Sequence, residues 1–175
     1  MKRKFTIGLN GDGIADLIDA LNEYPAWLEE RSRELLYRLS QEGYQIAAAG
    51  FAKAQYDGVN DSAVSVENRG ENVRAVVALG SSVLFIEFGT GVTYPDSHPE
   101  AAKNGMTRGG YGQGKGNQQT WGYYGSAGTN GVVRKETDKG TLVTTHGNPA
   151  NMPMYDAVKQ LKEKLPELVK EVFNQ

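Results

Sequence analysis

At 175 residues, 39% of them hydrophobic, the chain has room for one domain with a modest core. It contains no cysteine, which excludes a disulfide framework and thiolate chemistry and suits a reducing cytosol, though a cysteine-free secreted protein would read the same way. A net charge of −2, from 19 basic and 21 acidic residues, excludes nucleic-acid binding driven by bulk charge while leaving room for a local basic patch.

The start is basic, but the apolar stretch behind it is cut by Asn10 and Asp12, too short for a signal-peptide core. No window approaches membrane-spanning length, so a soluble chain opening on a strand is expected. That strand is Lys4 to Leu9, where Phe5, Ile7 and Leu9 alternate with Lys4, Thr6 and Gly8. Asn10–Gly13 reads as a turn, with Asp12 a candidate N-cap. Ile14, Leu17, Ile18 and Leu21 form one face of a short helix, which Pro25 ends or restarts. A longer helix follows to about Ala54, striped by Leu28, Leu35, Leu39 and Ile46. Its Ala47–Gly50 patch of small residues would let another element approach closely.

Ala63–Glu67 and Val73–Leu79 read as two strands joined by the turn Arg69–Asn72. Val83–Phe88 is either a strand or a single helical turn capped by Ser81 or Ser82. From Val92 to about Gly140 the composition shifts, with ten glycines between Gly105 and Gly131. A stretch this long without structure is either functional or mobile. Within it Thr120–Tyr124 is β-prone. It can pair with Thr141–His146 as the second arm of a long hairpin, whose tip, Gly125–Gly140, would be polar and flexible. A closing helix, Met154 to Phe173, presents Ala157, Leu161, Leu165, Leu168 and Val172, and Pro166 should kink or divide it.

The chain is organised around Phe85-Ile86-Glu87-Phe88-Gly89-Thr90-Gly91. Gly89 and Gly91 permit a sharp reversal, and Phe85, Ile86 and Phe88 anchor its near side in a core. Glu87 either accepts hydrogen bonds from amides in the Gly89–Val92 turn or alternates outward to solvent.

Three chemical constellations suggest themselves and carry little. Gly109 to Lys115 fits the start of a P-loop, but Gly116 stands where a magnesium-holding Ser or Thr belongs. No hydrophobic strand precedes it and no helix follows, so a flexible loop is expected. His98 lies near Asp96 and Glu100, but the spacing fits no zinc or calcium pattern, and His146 has no evident catalytic partner. Trp121, Tyr123 and Tyr124 could stack on a sugar or base, but their alternation favours a strand face packed on core or on a neighbouring subunit. No catalytic, cofactor-binding or metal residue is assigned.

The order of features nevertheless carries a resemblance. A long helix and a hairpin precede F-I-E-F-G-T-G at Phe85–Gly91. W-G-Y-Y at Trp121–Tyr124 and T-T-H-G-N-P-A-N-M-P-M-Y at Thr144–Tyr155 follow, with a closing helix behind them. This resembles the bacteriophage neck family of tail-completion, or head–tail joining, proteins of long-tailed phages and prophages, over most of the chain from about Pro25. The motif residues are Phe85, Glu87, Phe88, Gly89, Thr90, Gly91, Trp121, Tyr123, Tyr124, Gly147, Asn148, Pro149 and Pro153. Many relatives read Gln-Pro-Phe-Met and then Pro-Ala before the last helix. Here Asn151–Ala157 displaces the proline and the aromatic, and the tip is unusually rich in glycine. Both departures blur which partner the loops address.

The expected fold is a single α+β domain over 1–175, with a long N-terminal-half helix and a C-terminal helix packed on an antiparallel sheet and 92–140 as an extended loop or hairpin. The resemblance implies a non-enzymatic virion structural protein without cofactors, made in the host cytoplasm. It implies a homo-oligomeric ring, for which a hexamer is one candidate, meeting head-connector or head-closure proteins and tail-terminator or tail-tube proteins. DNA would pass only as cargo, and no membrane would be involved. A tail-terminator ring capping the tube is the alternative within that class. A carbohydrate- or nucleotide-binding module using the glycine- and aromatic-rich loop is the alternative outside it.

Overall fold

The computed structural model describes residues 11–92, 94, 97–106 and 118–174. The expected strand at Lys4–Leu9, the P-loop-like stretch 109–116 and Asp96 lie outside the described residues. In chain order the elements are α1 (Gly11–Lys53), β1 (Ala63–Asn68), β2 (Arg74–Leu79), α2 (Val83–Phe88), a 3-10 turn at Ala102–Asn104, β3 (Trp121–Tyr124), β4 (Val132–Thr137), β5 (Gly140–Thr145) and α3 (Pro153–Phe173). The fold is α+β, with two helices flanking small antiparallel sheets.

The expected short helix and long helix are one. α1 runs 43 residues, about 64 Å at 1.5 Å per residue, and Pro25 sits inside it rather than ending it. Proline there leaves the Leu21 carbonyl without its helical donor. Leu21 and Pro25 are both exposed, so water can take that carbonyl. Asp12, expected as the N-cap, lies inside the first turn of α1. Pro166 likewise falls inside α3 without dividing it, and the residue whose donor it removes, Lys162, is also exposed.

α3 runs antiparallel along the C-terminal half of α1. Pro153 meets Gly50, Leu161 meets Gly43, Lys164 pairs with Glu42, and Arg38 reaches Glu171 at 3.5 Å. At the far end the Phe173 ring packs edge-on to Trp27, centroids 5.9 Å apart. The small residues of α1 therefore do admit a close neighbour, and the neighbour is α3. Ala47, Phe51, Ala157 and Val172 are buried in or beside this seam.

β1 and β2 pair from Ala63↔Leu79 to Asn68↔Arg74, closed by the expected turn around Gly70. The expected two-armed hairpin is instead a three-stranded sheet of order β3-β5-β4. β3 pairs with β5 as anticipated, from Trp121↔Thr145 to Tyr124↔Leu142. The region read as a flexible tip also holds β4, which pairs along the other edge of β5 from Val132↔Thr144 to Thr137↔Gly140. A register shift between Val133 and Lys135 leaves Arg134 as an extra residue, whose Nε donates to Thr144 Oγ1 at 2.7 Å. Val143, at the centre of this sheet, is fully buried.

Val83–Phe88 resolves as the helical turn α2. Ser82 occupies its N-cap without a side-chain cap bond. Asp61 does the capping from the approach to β1. Its carboxylate accepts from Ser81 N and Ser82 N, both at 2.8 Å, and from the Ser81 and Ser82 hydroxyls at 2.7 and 2.6 Å.

Candidate functional site

The three motif stretches lie far apart in sequence and meet at one joint between the helices and the β3-β5-β4 sheet. Its first component is Glu87. The carboxylate neither faces solvent nor serves the Gly89–Val92 turn, as either expectation had it. It is 6% exposed and points at the start of α3. Oε2 accepts from Met154 N at 2.8 Å and Oε1 from Tyr155 N at 2.9 Å.

The reason lies in how α3 begins. The opening amides of a helix have no internal acceptors. Pro153 at the first position has no N–H, and Asp156 N reaches Met152 O at 2.9 Å. Met154 and Tyr155 remain, and Glu87 takes both. Met152 sits at the N-cap with φ +58°, a left-handed conformation unusual for a side-chain-bearing residue, and methionine has no oxygen to cap with. Glu87 supplies from α2 the cap that the local sequence lacks. Its negative charge also lies at the positive end of the helix dipole.

His98 closes this cluster. Its Nδ1 accepts from Glu100 N at 3.0 Å, so Nε2 carries the proton and donates to Glu87 Oε1 at 3.2 Å. The ring, 4% exposed, is held between Phe88 and Tyr155, at 4.5 and 5.2 Å between centroids. Both ring nitrogens and both Glu87 oxygens are engaged within the protein. Among the described residues no group of three or more His, Cys, Asp or Glu is placed to hold a metal ion.

The second component locks residues 89–91 against 146–150. Thr90 N donates to Asn148 O, and Asn148 N returns a bond to Thr90 Oγ1, each at 2.8 Å. Asn151 N reaches Ile86 O at 2.9 Å. Two glycines are required for this approach. A Cβ on Gly89 would lie 2.7 Å from Asn148 O, and one on Gly147 would lie 2.2 Å from Thr90 O. Their φ values of +82° and +94° also disfavour any side chain. Trp121 lies over Gly91 and Gly147 and covers the crossing of the two loops.

The third component was not legible in the sequence. Asp57, just past α1, is 7% exposed and accepts from Asn130 N at 2.6 Å and from the Thr145 hydroxyl. Thr145 Oγ1 in turn accepts from Gly147 N at 2.9 Å. Asn148, 2% exposed, bridges the groups: its Oδ1 accepts from Asp57 N at 3.1 Å and Asn130 Nδ2 at 3.3 Å, and its Nδ2 donates to Thr90 Oγ1 at 3.3 Å. Asn151 ties its side chain to both backbone groups of Gln55, at 2.8 and 3.0 Å. A buried carboxylate and a buried amide are tolerable only when so fully bonded. Burial raises the Tyr56 and Tyr123 hydroxyls above the usual phenol range. The Asp61 and then the Asp57 charge add to this at Tyr56, and Asp57 and then Tyr56 at Tyr123.

Of the expected motif residues, Tyr124 alone is exposed. Trp121 and Tyr123 share the inward face of β3, and Tyr123 Oη donates to Ser126 O at 2.6 Å. Phe85, Phe88, Thr90, Gly91 and Pro149 are half-buried, and Glu87, Gly89, Gly147, Asn148 and Pro153 are buried. His146 stays exposed beside Thr120 Oγ1 at 2.9 Å. A cavity of about 280 Å³ is lined by Tyr44, Ala48, Phe51, Ala52, Asn60, Ser62 and Val64, none of them in the motif stretches.

The fold and this joint define an α+β protein in which two motif loops and a strand are clamped by buried polar groups. No protein-family model, no curated protein and no solved structure matches the chain. Among the described residues no helix is long and apolar enough to cross a membrane.

Proposed function

We propose that the chain is a structural component of a bacteriophage neck, completing the tail or joining it to the head as part of a ring. One observation carries this reading. The three stretches that resemble the neck family, spread from Phe85 to Tyr155, interlock as a single buried joint, as family-defining residues should when they specify a fold and not a reaction. Partner contacts would then fall to the exposed exterior, where Val59, Leu84, Val132, Val133 and, alone of the motif residues, Tyr124 are exposed. The chain would work by assembly in the virion, without catalysis or cofactor, after synthesis in the host cytoplasm. A net charge of −2 suits a conduit through which DNA slides without sticking. The carbohydrate- or nucleotide-binding module remains the alternative of another class, with Tyr124 the exposed aromatic of that region.

The test is reconstitution on isolated phage heads and tails of a virus lacking this protein, with imaging of the junction and plaque counts. A ring at the neck and restored infectivity are expected. A ring on tails alone, without head joining, would favour the tail-terminator alternative. No binding to either, with tight retention of a nucleotide or glycan instead, would overturn the assembly reading.

A further inference from the structure

A groove runs between α1 and β1. Tyr44, Ala48, Phe51 and Ala52 form its helix side and Val64 its strand side, around the cavity of about 280 Å³. Val76, the partner of Val66, lies against Gly43, so the hairpin face that holds Val64 and Val66 turns to α1. No β2 residue lines the cavity, and among the described residues β1 pairs with β2 alone. The groove therefore lies beside the unpaired edge of β1. The polar side chains at its rim are engaged within their own loop: Asn60 Nδ2 donates to Phe51 O at 2.8 Å, and Asn60 Oδ1 accepts from Ser62 N at 3.1 Å. What stays open is a backbone edge beside an apolar floor, the setting in which a sheet takes on a further extended strand.

The sequence of β1 does little to prevent such pairing. The edge strand β4 carries Arg134, Lys135 and Glu136 and an irregularity at Arg134, devices that discourage a new neighbour. β1 reads Ala-Val-Ser-Val-Glu-Asn, with Glu67 its one charge and no proline.

The chain itself supplies a strand of the right kind. Lys4–Leu9, outside the described residues, sets Phe5, Ile7 and Leu9 on one side and matches the six residues of β1 in length. The other long stretch outside them, 107–117, carries five glycines and one large apolar side chain, Tyr111, without alternation. Reach decides which groove Lys4–Leu9 enters. Tyr44, the groove residue nearest in sequence, is 33 positions on from Gly11 along α1, about 50 Å at 1.5 Å per residue. The seven steps from Lys4 to Gly11 span at most about 25 Å when fully extended. α1 thus carries the segment away from its own groove.

We infer that Lys4–Leu9 adds as a strand to the free edge of β1 in a second copy of this chain, with Phe5, Ile7 and Leu9 turned into the groove. Each copy gives one strand and receives one through two different surfaces, the arrangement that closes into a ring. The inference deepens the proposed assembly by naming the contact between copies, and rests on that reading for its place in a virion.

The chain has no native cysteine, and Ala52 is exposed at the groove, so paired cysteines report the contact. Chains carrying I7C or A52C are purified separately, then mixed and mildly oxidised. A mixed disulfide dimer is expected, at a yield at least tenfold above that from either chain alone. A chain carrying both substitutions should form disulfide-linked multiples. The triple variant Phe5→Ser, Ile7→Ser, Leu9→Ser should fold and remain at the 19.0 kDa of one chain where the wild type forms higher multiples by light scattering. Ala52→Arg, acting from the groove side, should do the same. A doubly substituted monomer closed on itself, no disulfide from the mixture, a wild type that stays at one chain, or unchanged multiples in the triple variant would overturn the strand exchange. If the triple variant still restores infectivity, the exchange is wrong and the neck reading survives. If the wild type forms exchanged multiples that bind neither heads nor tails, the neck reading fails and the exchange stands.

Discussion

The joint and the outer half of α1 distribute polarity in opposite senses. The joint encloses two carboxylates, a histidine and an asparagine, each bonded to backbone or side-chain groups, within a few residues of the core. The outer half of α1 holds Ile14, Ile18 and Leu21 out to solvent. A folded chain tolerates buried charge where the bonding is complete, and it exposes a regular apolar stripe where another surface is to cover it. The difference teaches that the motif residues other than Tyr124 pack into the fold, and the proposed assembly would draw its contacts from exposed positions such as Tyr124 and those outside the motifs.

The sharpest way to break that comparison is at Glu87. Glu87→Ala leaves two amides at the start of α3 and the His98 N–H without acceptors, and should cost roughly 3 kcal/mol or more in urea unfolding. Glu87→Gln keeps the shape and should cost less. A loss under 1 kcal/mol from the alanine variant would mean the joint does not hold the fold. Gly147→Ala is expected next, at about 2 kcal/mol or more. The left-handed φ strains alanine, and its methyl would meet the Thr90 carbonyl.

Smaller effects depend on pH. Hydrogen bonds from Ser82, foremost, and from Ser81 hold the Asp61 carboxyl well below its ordinary range. Its folded value is depressed, so its contribution is complete above the unfolded value of about 3.9 and is lost as pH falls through the folded one. The melting temperature of Asp61→Asn should therefore fall below that of the wild type at pH 7, with the gap narrowing as the solution is acidified below about pH 4. A gap independent of pH would remove the charged cap from the account. At the alkaline end the sign reverses. Tyr56 and Tyr123 are raised in the folded state, so their contribution is intact below about pH 10 and lost as pH climbs through the folded values. Phenolate absorbance compared with Tyr56→Phe and Tyr123→Phe should show that both groups titrate late and become ordinary on unfolding. The smallest effect belongs to the outer half: Ile14→Ser, Ile18→Ser and Leu21→Ser should each change single-chain stability by less than about 0.5 kcal/mol.

Periodicity made much of the scaffold legible. The β1–β2 hairpin, the β3–β5 pairing and the α1 and α3 stripes follow from apolar spacing and turn residues. Pro25 misled because the proline rule describes hydrogen bonding lost inside a helix, and on exposed helix water replaces what is lost; Pro166 likewise does not divide α3. β4 escaped because nearly all of Val132–Thr137 is exposed, so no inward and outward alternation marks it. At the joint, the glycines and Glu87 stood out, but the partner of Glu87 did not: Met154 and Tyr155 are 67 and 68 residues away. Asp57 gave no signal, since an aspartate before Gly58 reads as an ordinary turn. Its role arises only once Asn130 and Thr145 arrive from the sheet.

Amide hydrogen exchange on the isolated chain, resolved by residue, tests the contrast most directly. Thr90, Asn148, Met154 and Tyr155 should open only with global unfolding, while amides between Ile14 and Leu28 exchange by local opening at far lower cost. Joint amides exchanging as fast as the outer helix, or an outer helix already protected to the global limit in the isolated chain, would contradict the division of labour between these two regions.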